Sequence, residues 1–185
     1  MIVGVGGQGT LLASRILGNL ALAQGYDVKV SEVHGMSQRG GSVVTYVKYD
    51  DKKVSSPIID EGGADLILAF EELEAYRYMS YLKQGGRMIC NTQNIDPMPV
   101  ITGAMKYPEE ILRKIKEKNV DIVPVNAAKV ALEAGNIRTV NVVLIGVLSK
   151  AMDIPEEEWE KVLCATVPEK AVDVNLKAFR LGRSY

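Results

Sequence analysis

Short β-rich segments alternate with segments of helical period along most of the chain, and this alternation constrains the fold more than any other feature. The segments "MIVGV" (1–5) and "ADLILAF" (64–70) are rich in branched apolar residues, whereas residues 10–24 carry apolar side chains at i, i+4 and i+8. Strands of this kind, each followed by a helix, predict a parallel sheet that helices cover. We therefore expect one α/β domain over residues 1–185. It would have three layers, with a mostly parallel Rossmann-like sheet, helices on both faces and a helical C-terminal region.

Turn and breaker residues indicate where several elements end. The segment "VSSPII" (54–59) follows a polar turn and could pair back on the strand before it. Gly85 and Gly86 are expected to end the helix over residues 71–83. The two prolines of "PMPVITG" (97–103) restrict any strand there to the edge of a sheet.

Composition and charge exclude several classes of function. The 22 basic residues nearly balance the 23 acidic ones, so no net field attracts nucleic acid or an anionic membrane. The longest apolar run is far shorter than the roughly 18 residues of a membrane span, and no signal-like segment opens the chain. Cys90 and Cys164 lie far apart in apolar surroundings, which argues against a disulfide framework or a cysteine-ligated metal site. These features predict a cytoplasmic protein with no nucleic-acid or membrane partner and no metal of its own.

The segment "GVGGQGT" (4–10) contains the pattern G-x-G-x-x-G at Gly4, Gly6 and Gly9, between a predicted strand and a predicted helix. Gly6 is expected to allow a tight turn, and Gly9 to let the helix approach the sheet. Exposed amides and the positive end of the helix dipole would then face a phosphate. A phosphate-bearing ligand is the prediction, and a β-turn that starts a helix without any ligand is the alternative.

Two common nucleotide sites fit this glycine loop poorly. A dinucleotide-binding unit presents an acid at the end of its second strand, and Glu32 is the only candidate. Glu32 lies two residues beyond the apolar run "VKV" and precedes a long loop. The lysine of a nucleoside-triphosphate loop is absent, because Gln8 takes its place. The sequence therefore disfavours both a nicotinamide dinucleotide and a nucleoside triphosphate.

The segment "VHGMSQRGGS" (33–42) lies between two predicted strands and is about nine residues long, whereas a reverse turn needs two to five. It contains the only histidine, His34, which could be a general acid or base because imidazole titrates near neutrality. No acid or nucleophile in the sequence is certain to pair with His34, so a structural role is the favoured interpretation. Arg39 could clamp a carboxylate or a phosphate, or could instead cap a helix or pair with Glu32.

Polar residues follow two of the predicted central strands. Glu71 and Glu74 come directly after "LILAF", and Asn91 and Thr92 end the next strand. Open α/β sheets bind their ligands at the carboxyl ends of the strands, so these four residues are candidates for a ligand crevice. For the two glutamates the alternative is the first turn of a helix, where the dipole favours acids.

An ordered set of motifs covers the chain from residue 3 to about residue 182. The motifs are "GVGGQGTLLASRIL", "SEVHGMSQRGGSV", "ADLILAFEELEAYRY", "ICNTQNI" and "GNIRTVNVVLIGVLSK". This set resembles the small (beta) subunit of indolepyruvate ferredoxin oxidoreductase and, more broadly, the gamma subunit or domain of 2-oxoacid:ferredoxin oxidoreductases. The segment "HGMSQRGGS" is the part that resembles the indolepyruvate branch. The resemblance also implies a longer first strand than "MIVGV".

The resemblance implies a subunit of a heteromeric enzyme that oxidatively decarboxylates aryl 2-oxoacids to acyl-CoA and passes the electrons to ferredoxin. Thiamine diphosphate and iron–sulfur clusters would lie on a large catalytic subunit, because this chain contains neither a "GDG" motif nor a cysteine-rich motif. This chain would be an accessory subunit that is inactive alone and has no catalytic residue of its own.

The resemblance also assigns residues to two sites. The glycine loop would contact the pyrophosphate of coenzyme A through Gly4, Gly6, Gly7, Gln8, Gly9 and Thr10. The long loop would face the partner's active site through His34, Ser37, Gln38, Arg39, Gly40 and Gly41. Two other classes of function stay open: a stand-alone NAD(P)-dependent dehydrogenase, and a structural interaction module that binds no ligand.

Overall fold

The computed structural model of the chain describes residues 1–35 and 41–185. Within these ranges six strands form one sheet: β1 Ile2–Val5, β2 Asp27–His34, β3 Ser42–Asp50, β4 Ala64–Ala69, β5 Leu82–Asn91 and β6 Asp121–Val125. The strand order is β2-β3-β1-β4-β5-β6. Strands β1, β4, β5 and β6 are parallel, and β3 is antiparallel to β1. The predicted α/β class and mostly parallel sheet are confirmed.

Eight α-helices lie in the same described ranges: α1 Thr10–Ala23, α2 Glu72–Tyr78, α3 Met98–Ile101, α4 Ile111–Glu117, α5 Ala127–Ala134, α6 Val140–Ser149, α7 Glu156–Thr166 and α8 Val172–Arg183. Short 3-10 helices occupy Met79–Tyr81, Ile137–Thr139 and Glu169–Ala171. The succession from α5 to α8 confirms the helical C-terminal region. Across the residues that the structure describes, every helix is too short or too polar to cross a membrane.

The chain divides into two compact units. The first comprises Met1–Thr10, Ser31–Tyr46 and Ile58–Val125, and the second comprises Leu11–Val30, Val47–Pro57 and Asn126–Tyr185. That residues 1–185 form a single domain stays a prediction.

The first unit places the carboxyl ends of its central strands at one edge of the sheet. Ile2 pairs with Leu68 across β1 and β4, and Leu68 pairs with Ile89 of β5. Strand β3 runs the other way, so its first residue, Ser42, pairs with Val5 at the end of β1. The residues that follow β1, β4 and β5 therefore lie at the same edge of the sheet as the start of β3. Buried apolar side chains of the sheet, α2 and α4 form the core beneath this edge.

Gly85 and Gly86 do not end a helix, contrary to the prediction. The chain leaves its helical conformation at residue 81, and both glycines lie inside β5. Ala64 pairs with Leu82, but Leu66 pairs with Arg87, so β5 carries extra residues that bulge out of the ladder. Gly85 has a φ of +80°, and a Cβ atom at Gly86 would lie 2.8 Å from the carbonyl oxygen of Asp65. The two glycines thus allow the irregular backbone of β5.

Two other segments also differ from the sequence-based expectation. Residues 54–59 form no strand, and the Val54 N–H donates to Asp27 Oδ2 at 2.7 Å within the second unit. The segment over residues 97–103 contains the short helix α3 instead of an edge strand. Pro97 precedes α3 and Pro99 lies in its first turn, where a missing N–H costs no helical hydrogen bond.

The second unit is organised around a close crossing of α6 and α8. Every residue of α6 from Asn141 to Ser149 is buried, as its nearly all-apolar sequence predicts. At the crossing, a Cβ atom at Gly146 would lie 2.2 Å from the carbonyl oxygen of Phe179, and one at Gly182 would lie 2.2 Å from that of Val143. The two backbones therefore touch without intervening side chains.

Candidate functional site

The glycine loop forms a tight turn at the end of β1. The N–H of Gln8 donates to the carbonyl of Val5 at 3.3 Å, and Gly7 at the third position of this turn has a φ of +96°. A positive φ at that position favours glycine. Gly9 also has a positive φ, of +84°. The left-handed residues are thus Gly7 and Gly9, whereas the sequence argument had placed the tight turn at Gly6.

Gly4 and Thr10 flank this turn and are both buried. A Cβ atom at Gly4 would lie 3.0 Å from Phe70 Cβ and 3.4 Å from Thr10 Cγ2. Such distances are tighter than ordinary van der Waals contact, so the first glycine of the motif allows close packing. Thr10 is the first residue of α1, where the prediction put the start of the helix.

The glycine loop is joined to the second predicted site by a backbone hydrogen bond. The Gly6 N–H donates to the carbonyl of Gly41 at 3.0 Å. Gly35 N–H likewise donates to the Ser42 carbonyl at 2.9 Å, which fixes the two ends of the long loop. The predicted site residues Ser37, Gln38, Arg39 and Gly40 lie outside the described residues.

The Gln8 side chain ties the loop to the neighbouring strands. Its Oε1 accepts from the Val5 N–H at 2.7 Å, and its Nε2 donates to the Phe70 carbonyl at 3.0 Å and to Gln93 Oε1 at 3.3 Å. These bonds use both polar atoms of the side chain, so Gln8 orders the loop. Its predicted contact with a pyrophosphate stays a prediction.

The end of β5 completes this polar network. Asn91 is buried, and its Nδ2 donates to the Phe70 carbonyl at 3.1 Å and to Gln93 Oε1 at 3.2 Å. Thr92 is exposed, and its N–H donates to the Val125 carbonyl at 2.9 Å. Gln93 was missed by the sequence argument, although it lies directly after the strand end, where polar side chains are candidates.

Glu71 is a buried carboxylate that caps α2. It is 1% exposed, and its Oε2 accepts from the Glu74 N–H at 2.9 Å. Its Oε1 accepts from the Ile95 N–H at 3.1 Å and from the Tyr107 hydroxyl. Burial and the hydrogen bond to Glu71 raise the pKa of Tyr107 far above its ordinary value. Glu71 thereby holds the segment that follows β5, a role that fits the helix-cap alternative.

Glu74 is the second buried carboxylate of the site and is 2% exposed. Its Oε2 accepts from Ser42 Oγ at 2.5 Å, and its Oε1 accepts from Arg77 Nη1 at 2.6 Å. Burial raises the pKa of Glu74, while the Ser42 hydrogen bond and the positive charge of Arg77 oppose that shift. Arg77 was missed by the sequence argument, although its i,i+3 spacing from Glu74 is one that brings helical side chains together.

His34 lies in β2 and not in a loop, and it has an acidic partner. His34 Nε2 is 2.5 Å from Glu32 Oε1, and Glu32 Oε2 accepts from Thr45 Oγ1 at 2.8 Å. The two residues are two positions apart on one strand, so their side chains share a face. The sequence left open whether an acid pairs with His34, and the structure places Glu32 beside it. Both oxygens of Glu32 are engaged, which further disfavours Glu32 as the ribose-binding acid of a dehydrogenase.

No group of three histidine, cysteine, aspartate or glutamate side chains is placed to hold a metal ion in the part of the chain that the structure describes. Cys90 is buried, and burial, with smaller contributions from Glu72 and Glu71, raises the pKa of its thiol.

Residues 1–185 match the family described as pyruvate ferredoxin/flavodoxin oxidoreductase. The chain belongs to this family. It is also 50% identical over 187 residues to the indolepyruvate oxidoreductase subunit IorB of Pyrococcus horikoshii, an alignment that covers 98% of this chain and 92% of that relative. The resemblance that the motifs indicated is confirmed.

Solved structures of the family share this fold. One is the gamma subunit of a keto/oxoacid ferredoxin oxidoreductase from Geobacter sulfurreducens, with a TM-score of 0.71, 24% identity, and coverage of 99% of this chain and 94% of that one. Another is the 2-oxoglutarate:ferredoxin oxidoreductase of Magnetococcus marinus, described with 2-oxoglutarate, coenzyme A and succinyl-CoA bound. The TM-score is 0.68 and the sequence identity is 21%. The alignment covers 99% of this chain but only 30% of the longer Magnetococcus chain.

Proposed function

We propose that this chain is an accessory subunit of a heteromeric 2-oxoacid:ferredoxin oxidoreductase of the indolepyruvate type. The observation that carries the proposal is the 50% identity, over 98% of the chain, to a subunit named for indolepyruvate oxidoreductase. The complex would convert aryl 2-oxoacids to acyl-CoA, and this chain alone would be inactive.

The proposal assigns the redox chemistry to a large catalytic subunit. That subunit would carry thiamine diphosphate and the iron–sulfur clusters and would pass electrons to ferredoxin. This chain has two cysteines, Cys90 and Cys164, of which the first is buried, and cluster binding needs about four such ligands. A cytoplasmic location is part of the proposal and rests on the sequence.

Coenzyme A is the ligand that we assign to the glycine loop. Gly7 is exposed, and no atom lies within 4 Å of the position that its Cβ would take, so a phosphate can approach the backbone there. The 14-residue helix α1 begins at Thr10, directly after the loop, and the N-terminus of a helix favours an anion. The nearby carboxylates of Glu71 and Glu74 are buried and hydrogen-bonded, which limits their repulsion of an anion. A structural relative is described with coenzyme A bound.

Co-expression with the large subunit tests the proposal directly. We expect aryl-pyruvate-dependent reduction of ferredoxin or viologen by the complex and none by this chain alone. The matched control is the large subunit expressed without this chain. Equal activity of the large subunit with and without this chain would contradict the proposed function.

Replacing Gly7 by alanine is expected to weaken the binding of coenzyme A to the complex by about tenfold. A left-handed φ costs a non-glycine residue on the order of 1–3 kcal/mol, so the loop would lose the conformation that presents its backbone to a phosphate. Isothermal titration calorimetry would measure the dissociation constant.

Gly25→Ala is the matched control. Gly25 follows the other end of α1, has a φ of +85° and, like Gly7, has no atom within 4 Å of its Cβ position. Both variants therefore carry the same backbone strain, and only Gly7 lies in the glycine loop. If both variants bind coenzyme A with wild-type affinity, the loop does not hold the pyrophosphate.

A further inference from the structure

We infer that His34, oriented by Glu32, is the base that accepts the thiol proton of coenzyme A. The inference rests on the proposed function, because it assumes a coenzyme A molecule whose phosphates lie at the glycine loop. It assigns acid–base chemistry to a chain that the family resemblance left without a catalytic residue of its own.

The contacts of Glu32 fix the orientation of the imidazole. Thr45 is fully buried, and its hydroxyl donates to Glu32 Oε2 at 2.8 Å. Glu32 Oε1 lies 2.5 Å from His34 Nε2, and the Glu32 side chain is only 11% exposed. The carboxylate is thereby anchored, and it fixes which ring nitrogen carries the proton. The other ring nitrogen, Nδ1, is not engaged by Glu32, and it is the atom that we assign to the ligand.

His34 is also accessible, unlike most ionisable groups near the sheet edge. Its side chain is 58% exposed. Among the described residues at this edge, Glu71 accepts from two backbone N–H groups and a hydroxyl, and Glu74 is paired with Ser42 and Arg77. Imidazole, with an ordinary pKa of about 6.5, is a better base for a thiol near 8.5 than any carboxylate. His34 therefore combines exposure and a fixed orientation in an imidazole side chain.

The strand order places His34 within reach of a ligand at the glycine loop. Gly35 is hydrogen-bonded to Ser42, and Ser42 pairs with Val5 at the end of β1. Neighbouring strands lie about 4.8 Å apart, so the end of β2 lies roughly 10 Å from the end of β1 across the sheet edge. The pantetheine arm of coenzyme A is long enough to span that separation.

The proposed step is a single proton transfer. The S–H bond of coenzyme A breaks, the proton moves to His34 Nδ1, and the electron pair stays on sulfur as a thiolate. The imidazolium that forms is stabilised by the carboxylate of Glu32. The thiolate is then available to take the acyl group, and His34 returns its proton to solvent through its exposed side.

The test uses the complex with the large subunit and separates the step that needs coenzyme A from the one that does not. For His34→Ala we expect about 100-fold slower acyl-CoA formation. Single-turnover viologen reduction by an aryl 2-oxoacid without coenzyme A should be unchanged. Added imidazole should restore part of the lost rate of acyl-CoA formation.

Two further variants complete the design. Glu32→Gln should lower kcat roughly 10-fold without changing the KM for coenzyme A, because Glu32 positions the base and does not bind the ligand. Lys29→Gln, at an exposed position of the same strand, is the control and should behave as wild type.

Three results would overturn the inference alone: full activity of His34→Ala, equal slowing of both steps, or a selective loss that imidazole does not restore. A wild-type complex that forms no acyl-CoA would overturn the proposed function and this inference together.

Discussion

Replacing Gly182 by valine is expected to lower the free energy of unfolding by at least about 3 kcal/mol. A Cβ atom at Gly182 would lie 2.2 Å from the carbonyl oxygen and 2.9 Å from the carbonyl carbon of Val143. The obstacle is the backbone of α6, which is buried on all sides and cannot turn away as a side chain could. Chemical denaturation followed by circular dichroism measures the effect.

Gly18→Ala is the control for this substitution. Gly18 also lies within a helix, α1, but its Cβ would meet only side-chain atoms of Val30 and Val28, at 3.6 and 3.9 Å. Alanine should therefore raise the free energy of unfolding by about 0.5–1 kcal/mol, since it favours a helix more than glycine does. Opposite signs for the two substitutions are the expected outcome. Wild-type stability of Gly182→Val would contradict the close crossing of α6 and α8.

The second large effect is expected for Glu71→Ala, with a loss of about 3 kcal/mol in the free energy of unfolding. The substitution removes the cap of α2, worth about 1 kcal/mol, and leaves the Ile95 N–H and the Tyr107 hydroxyl without their acceptor. Ile95 and Tyr107 are half-buried, so each lost hydrogen bond is expected to cost about 1 kcal/mol. Thermal and chemical denaturation give the magnitude.

Tyr107→Phe is the matched control, because it removes one donor and keeps the carboxylate. Its expected cost in the free energy of unfolding is about 1 kcal/mol.

Hydrogen exchange adds a local test. In Glu71→Ala the Ile95 amide should exchange faster, while the Thr92 amide, which donates to the Val125 carbonyl, should stay protected. Equal protection of Ile95 in wild type and variant would show that Glu71 does not hold this segment.

Local patterns predicted the parts of the fold that local forces determine. The apolar runs of β1 and β4, the glycine loop and the C-terminal helices all follow from periodicity and from breaker residues. The position of β3 between β1 and β2 did not, because strand pairing joins residues as far apart as Ile2 and Thr45. No short-range pattern specifies such a partner. The irregular strand at Gly85 and Gly86 was missed because paired glycines also commonly end helices.

The same limit applies to the site. The sequence placed Glu71, Glu74, Asn91 and the glycine loop at the carboxyl ends of strands, since strand ends can be predicted. It could not supply the partners of Glu71, because Ile95 and Tyr107 lie 24 and 36 positions away. The pair of Glu32 and His34 could have been predicted, because residues i and i+2 of one strand have side chains on the same face. It was missed because the strand was predicted to end before His34.

The central position of β1 has a consequence for how the protein assembles. Its neighbours β3 and β4 come from segments about forty and sixty-five positions further along the chain, as the pairs Ile2–Thr45 and Ile2–Leu68 show. The four buried residues of β1 therefore have no sheet to join until both of those segments have been synthesised. Pairing over such distances carries a loop-closure cost and slows folding. On the ribosome, the end of β1 and the glycine loop after it would become ordered late, and a chaperone that shields an apolar strand would have time to act there.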